Sequence, residues 1–375
     1  MASDSDPRTS VTAAAEKLLG LELLRFGAAV AILVFHYQHF WYVGVAAKDF
    51  NLWSQPLYGV LWPLYHYGHY GVEIFWCVSG YIFFWKYRKT IATKSIGGWR
   101  FFVLRFSRLY PLHLLTLLGV AALQAAYLRT QGSYFVYSAN DIGHFVLQLL
   151  FASNWTPSQP ASFNGPIWSI SIEVLVYFIF YACLRITGAS AWPSLALVAG
   201  SCLAVATGHG HNLVVCIAFF FAGGLAAILG GYADKRRIEA PIAAATAIAL
   251  VLGLAMAYWL RVPAYKPFPV WTLLIAVSAL VFLVARRFPV PRRMRRGIEV
   301  AGNLTYASYL LHFPIQLTVV LTFALIGKAV PMQRVGFFLA YIAGTLALSY
   351  VVYRYFEAPA QNFIRARRRI VVAAS

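Results

Sequence analysis

Apolar runs of about twenty residues recur along almost the whole chain, separated by short polar stretches. A run of that length crosses a bilayer as a helix. The runs fall at about 22–43, 69–86, 109–128, 167–186, 193–207, 212–231, 240–260, 269–286, 303–326 and 335–356. They predict an all-α fold, a polytopic membrane helix bundle of about ten transmembrane helices. Segment 142–153 is apolar but short, which predicts an interfacial or re-entrant piece rather than a crossing. The alternation that marks the strands of a membrane barrel is missing. No internal repeat is visible. Residues 1–18 read as a disordered N-terminal tail, 19–360 as the membrane domain and 361–375 as a basic cytoplasmic tail. The first apolar run keeps polar residues and lacks a small-x-small cleavage site, so it is predicted to be a retained helix and not a signal peptide.

Charge orients the helices. With the N-terminus in the cytoplasm, the inner loops hold Lys86, Arg88, Lys89, Lys94, Arg100, Arg105 and Arg108, then Arg185, then Lys235, Arg236 and Arg237. Next come Arg286, Arg287, Arg292, Arg293, Arg295 and Arg296, and finally Arg354 and the Arg365–Arg369 cluster. The outer loops hold only Lys48, Arg129, Arg261, Lys266, Lys328 and Arg334. That asymmetry predicts both termini on the cytoplasmic side. It also accounts for a net charge of +19 without a nucleic-acid partner. The chain is 61% hydrophobic and 11% charged, which leaves no room for a sizeable soluble domain. Cys77, Cys183, Cys202 and Cys216 lie in apolar segments with no CxxC spacing. They predict packing residues, with neither a disulfide nor a metal.

Ionisable groups inside lipid are expensive, and when present they face a protein interior or a watery cavity. The first run carries Glu22, Arg25, His36 and His39. Arg25 and His36 are eleven residues apart, which puts them on one helix face, roughly 16 Å apart along the axis. A permanent cation near one surface suits phosphate recognition, and a deep imidazole suits acid/base work. A packed, hydrogen-bonded histidine is the plainer alternative. In the second run Glu73 precedes Ser79-Gly80, a pair that supplies a hydroxyl and allows close backbone approach, as ordinary helix packing also does. Arg105 and Arg108, three residues apart, share a helical face before Pro111, which fits the first turn of the following helix. They form a fork-shaped anion site, or anchor the chain at the inner surface. Trp168, Ser169, Ser171 and Glu173 open the fourth crossing, and Tyr309, His312 and Pro314 lie in the ninth. Aromatic residues in loop 44–68 (Trp53, Trp62, Tyr65, His66, Tyr67) and in the stretch from Trp155 to Asn164 suit interfacial anchoring, and equally a floor on which sugar faces stack.

Taken in order, Arg25-x10-His36, Gly71-Val-Glu-Ile-Phe75 leading to Ser79-Gly80, Arg105-x-x-Arg108-x-x-Pro111, Trp168-Ser169 with Glu173, and Tyr309-Leu-x-His312-x-Pro314 resemble the acyltransferase-3 family of integral membrane O-acyltransferases. Together they span nearly the whole chain. The resemblance implies a ten-helix bundle in the cell inner (plasma) membrane. It implies transfer of an acyl group, usually acetyl, from acyl-CoA as co-substrate to a hydroxyl of a carbohydrate. The partners it implies are a glycan or lipid-linked sugar acceptor and membrane lipids, with no bound cofactor. Position 73 is Glu where family members commonly show Asp. Some relatives carry a C-terminal SGNH-type domain; here the chemistry is expected from the bundle alone.

On that reading His36 is the general base for direct attack of a sugar hydroxyl on the thioester, with a covalent acyl-histidine route as the alternative and His39 as the rival base. Glu73 is expected to orient the imidazole. Arg25, Arg105 and Arg108 are expected to hold the CoA phosphates, and Ser79, Trp168 and Ser169 to contact the oxyanion or acceptor. His312 and Glu173 serve structure or acceptor binding. Two other classes fit part of the pattern. One is a proton-coupled transporter or flippase for a lipid-linked glycan, which also needs intramembrane Glu, Arg and His. The other is a non-catalytic scaffold, which would tolerate loss of Arg25 and His36.

Overall fold

The apolar runs are helices in the computed structural model, which describes residues 18–157, 159–259, 270–285 and 290–373. The expected N-terminal tail, except Leu18, and the loop cations Arg261, Lys266, Arg286 and Arg287 lie outside the described residues. The chain opens with α1 (Leu19–His36), which tightens into a 3-10 turn (Tyr37–Trp41) and a small hairpin, β1 (Tyr42–Val43) against β2 (Ala46–Ala47). Then follow α2 (Tyr58–Tyr67), a 3-10 turn (Gly68–Tyr70), α3 (Gly71–Ala92), α4 (Gly98–Gln131) and the short α5 (Ile142–Leu149). The second half holds α6 (Ile167–Thr187), α7 (Trp192–Ala206), α8 (Asn212–Arg236), α9 (Glu239–Trp259) and α10 (Val270–Ala285). It closes with α11 (Arg292–Leu325), α12 (Val335–Val352), a π-helical turn (Tyr353–Glu357) and α13 (Ala358–Ala373).

The molecule is an all-α polytopic bundle. Among the described residues, six stretches are long and apolar enough to cross a membrane: Leu19–Trp41, Gly98–Gln131, Ile167–Thr187, Asn212–Arg236, Arg292–Leu325 and Val335–Ala366. Trp192–Ala206 and Val270–Ala285 are apolar but shorter. Segment 142–153 contributes only α5, an eight-residue helix. The Asp141 carboxylate caps it, accepting from the His144 backbone N–H at 3.0 Å and from its ring at 2.6 Å. Those bonds hold the carboxyl below its ordinary range.

Two glycines set the centre of the bundle. A Cβ on Gly80 of α3 would sit 1.8 Å from the Phe220 carbonyl of α8, and one on Gly223 of α8 would sit 1.9 Å from the Cys77 carbonyl of α3. The helices therefore touch backbone to backbone, the approach that the Ser79-Gly80 pair allows. Around this contact lies an aromatic core in which Phe83 stacks on Tyr177 at 4.4 Å and meets Phe101, Phe180 and Phe220 edge-on.

Three boundaries differ from expectation. Pro111 lies inside α4, not at the start of a new helix; α4 runs from Gly98, eleven residues before its apolar part begins. Membrane helices tolerate such a proline because neighbours satisfy the freed backbone groups. The same holds in α11, where Pro314 has no N–H for the Leu310 carbonyl one turn back; the buried Asn164 side chain donates to that carbonyl instead, at 3.0 Å. Loop 44–68 contains the ten-residue α2, with Pro63 in its interior. Trp53, Tyr58, Trp62 and His66 form a ring cluster there, and Trp53 stays exposed. Finally, the boundary expected at 360 falls within α13, and Arg365 of that helix bonds to α4 through Ser107.

Candidate active site

A cavity of about 110 Å³ lies where α1, α3, α4, α6 and α11 converge. Its wall includes Arg25, Ser79, Arg105, Arg108, Ser169 and Glu173, six of the residues singled out from sequence. They meet because the polar positions of four apolar helices all face this one point. Burial of so many ionisable groups is tolerated only where they meet one another.

The cations are held differently. Arg25 pairs with Glu22, one turn earlier, at 3.1 Å. Glu22 in turn packs against Gly302 of α11, where an added Cβ would lie 2.0 Å from its carboxylate. Arg105 donates to the Tyr87 hydroxyl at 2.7 Å and lies over the Phe83 and Tyr87 rings at 4.9 and 5.2 Å. Aromatic faces and a phenol thus hold the guanidinium, with Glu173 in electrostatic range and no direct ion pair among the described residues. Arg108 makes no hydrogen bond or ion pair among the described residues, although Glu173, Glu357 and Arg25 lie within electrostatic range. Glu173 accepts from Tyr177 at 2.7 Å, with Ser79 beside both. Ser169 bonds the Tyr309 hydroxyl at 2.7 Å, and both hydroxyls reach the Pro166 carbonyl, Tyr309 at 2.8 Å and Ser169 at 3.4 Å.

His36, His312, Glu73 and Trp168 stand outside this wall. The first two form a second cluster that adjoins it. Tyr309, a wall residue, lies 5.9 Å from the His312 ring; His312 stacks on His36 at 5.0 Å; His36 lies 5.0 Å from His39. The His36 Nδ1 faces the Ile32 carbonyl at 3.2 Å. A carbonyl only accepts, so Nδ1 carries the proton and Nε2 keeps its lone pair. Gln316 organises the cluster: its Nε2 donates to the His36 carbonyl at 2.8 Å, which turns its Oε1 to His39 Nδ1 at 3.0 Å. His312 is fully buried, and neither ring nitrogen makes a hydrogen bond of standard geometry.

Glu73 makes no hydrogen bond to His36; the Ile32 carbonyl occupies the orienting position expected of Glu73. In α3 the residues Val72, Phe75, Trp76 and Ser79 face the cavity, and Glu73 lies to one side with one carboxylate oxygen buried and unpartnered. Trp168 packs edge-on against Trp76 at 5.8 Å. Ser171 faces away as well and fixes the outer loop, donating to the Phe151 carbonyl at 2.7 Å while its own carbonyl receives the Trp155 indole at 3.0 Å.

Sequence reasoning passes over Gln316, Asn164, Tyr177 and Glu22 as site residues. Gln316 carries a usable signal: it is an amide in an apolar run, one turn beyond His312. Asn164 carries half of one, since Pro314 announces an orphaned carbonyl without naming its donor.

A family model described as an acyltransferase domain matches residues 18–354, nearly all of the chain. The protein belongs to this acyltransferase family. The matched span takes in α1 through α12 and every group of both clusters. A curated member of similar sequence is the acyltransferase MdmB of Streptomyces mycarofaciens, 30% identical over 168 residues. That stretch is 44% of this chain and 38% of MdmB, well under two thirds of the relative's length. No solved structure matches the acyltransferase-family chain.

Proposed function

We propose that the protein is a membrane O-acyltransferase that moves an acyl group, acetyl in the simplest case, from acyl-CoA to a carbohydrate hydroxyl. One observation carries the reading: an arginine-lined cavity joined through Tyr309 and His312 to a histidine whose Nε2 is left free as a base. Phosphates of the donor meet Arg25, Arg105 and Arg108, since guanidinium is the side chain best matched to phosphate geometry. The thin pantetheine arm extends past Tyr309 toward the imidazoles.

At His36, Nε2 takes the proton of the acceptor hydroxyl as its oxygen attacks the thioester carbonyl. A C–O bond forms, the C–S bond breaks, and the imidazolium returns its proton to the departing thiolate. The bond from Nδ1 to Ile32 keeps the ring in the required tautomer throughout. Ser79, on the cavity wall, is the hydroxyl proposed to meet developing negative charge.

The test uses inside-out membrane vesicles, labelled acetyl-CoA and native glycan and lipid acceptors. Label entering a glycan with the wild type, and absent with His36→Ala at equal protein level, is the expected result. Label that persists moves the base to His39 or His312. A wild type that transfers neither acetyl nor succinyl from its CoA ester overturns the proposal.

A further inference from the structure

The C-terminal helix α13 adds a cation to the donor side. Arg365 donates through Nε to the Ser107 hydroxyl at 3.2 Å and through Nη2 to the Leu104 carbonyl at 3.4 Å. Ser107 is fully buried, and it is flanked on α4 by Arg105 and Arg108. These two bonds fix the guanidinium plane, while Nη1 makes no hydrogen bond among the described residues. The charged groups acting on Arg365 are Arg105 and Arg108, both of its own sign, and no carboxylate is among them. The carboxylates of the region, Glu22, Glu173 and Glu357, act on Arg25, Arg105 and Arg108 instead. A half-buried arginine held beside two others without a counter-ion is an arrangement that an anionic ligand stabilises.

Position narrows which anion this is. Arg105 and Arg108 line the cavity, and Arg365 does not. Its two bonds reach Ser107 and Leu104, the α4 positions immediately before Arg108 and Arg105. Coenzyme A carries two kinds of phosphate: a diphosphate toward the pantetheine arm, and a 3′-phosphate monoester on the ribose, farthest from the thioester. If Arg105 and Arg108 take the diphosphate, the cation beside the cavity and outside its wall is left for the phosphate farthest from the thioester. We infer that Arg365 of α13 binds the 3′-phosphate of the donor and makes the site discriminate coenzyme A from its 3′-dephospho form. This inference rests on the acyl-CoA reading above. It also explains why α13 docks on α4, since the helix then closes the donor site from the cytoplasmic side.

The experiment is isothermal titration of the detergent-purified full chain with coenzyme A and with 3′-dephospho-coenzyme A. Wild type is expected to bind coenzyme A about tenfold or more tightly than the dephospho form, the scale of one charge-assisted hydrogen-bonded pair. Arg365→Ala should bring coenzyme A down to the dephospho level and leave dephospho binding unchanged, which also shows that the variant is folded. Arg365→Lys, which keeps the charge and loses the fork, should fall between. Arg108→Ala should weaken both forms. Equal weakening of both ligands by Arg365→Ala, or no weakening of either, overturns the inference and leaves the donor reading standing. So does a wild type that does not discriminate. A wild type that binds neither ligand overturns the donor reading and this inference with it.

Discussion

At the scale of single residues, the direction of one hydrogen bond decides what His36 can do. With Nδ1 donating to the Ile32 carbonyl, the neutral ring carries its lone pair on Nε2, where it can accept a proton. His36→Gln keeps a polar side chain of similar reach and removes the base. Its transfer rate should fall by about 10²–10⁴-fold, the usual worth of a positioned general base, with an unchanged melting temperature. A rate near wild type would show that His36 packs the core and nothing more. Gln316 makes the opposite forecast. It serves the His36 carbonyl and the His39 ring at once, so Gln316→Leu leaves two buried polar groups without partners. Each orphaned group costs about 1–3 kcal/mol. Thermal unfolding in detergent should therefore show a clear loss of stability along with a loss of transfer. A Gln316→Leu variant as stable as wild type would mean that the network around His39 is incidental.

At the scale of elements, glycine contacts separate fold from function. Gly80→Ala or Gly223→Ala drives a methyl into a backbone carbonyl of the facing helix. Neither carbonyl has room to move, so the helices must part. Overpacking of this kind costs about 1–3 kcal/mol, and at least that much is expected from thermal unfolding here. Gly119→Ala and Gly200→Ala meet nothing within 4 Å and should leave stability level or slightly raised, because glycine is a poor helix former. If all four variants unfold alike, the close α3–α8 approach does not hold the bundle together. These elements also show what the sequence disclosed. Long apolar runs revealed the helices because lipid permits little else. The same signal marks only the apolar part of a helix, so it missed the first eleven residues of α4 and the basic opening turns of α11. It also missed α2 and α13, which are amphipathic or aromatic and carry no apolar run. For the site, polar residues within apolar runs marked Arg25, Ser79, Ser169 and Glu173, since each is expensive to bury without a reason, and the shared helical face of Arg105 and Arg108 marked the other two cavity groups. What stayed illegible was pairing across helices. No spacing in the sequence tells that Tyr309 bonds Ser169, or that the Ile32 carbonyl, not Glu73, orients His36.

At the scale of the whole molecule, the two clusters lie at different depths of one bundle. Arg105, Arg108 and Arg365 belong to the end that charge asymmetry assigns to the cytoplasm. His39 lies in the 3-10 turn that leads into the β1–β2 hairpin, at the end that asymmetry assigns to the outside. A hydrophilic, multiply charged CoA thioester does not cross lipid, so on the acyl-CoA reading proposed above the donor enters from the arginine end. On the same reading the acceptor hydroxyl meets Nε2 of His36 near the other end. This arrangement predicts a sided reaction. With acyl-CoA as the only added substrate, sealed inside-out vesicles should transfer the label and sealed right-side-out vesicles should not, until a pore-forming detergent concentration admits the donor. The helix orientation is checked in the same preparation by placing cysteines at Lys48 and Lys94 in a chain whose four native cysteines are replaced. A membrane-impermeant maleimide should label position 48 in right-side-out vesicles and position 94 only in inside-out ones. Labelling in the reverse sense would invert the bundle and put the arginine cluster outside. Equal transfer by both kinds of sealed vesicle would sever the link between arginine placement and donor entry, even with the helices oriented as expected. Sided transfer together with the expected labelling would place donor entry, and with it the arginine cluster, on the cytoplasmic face.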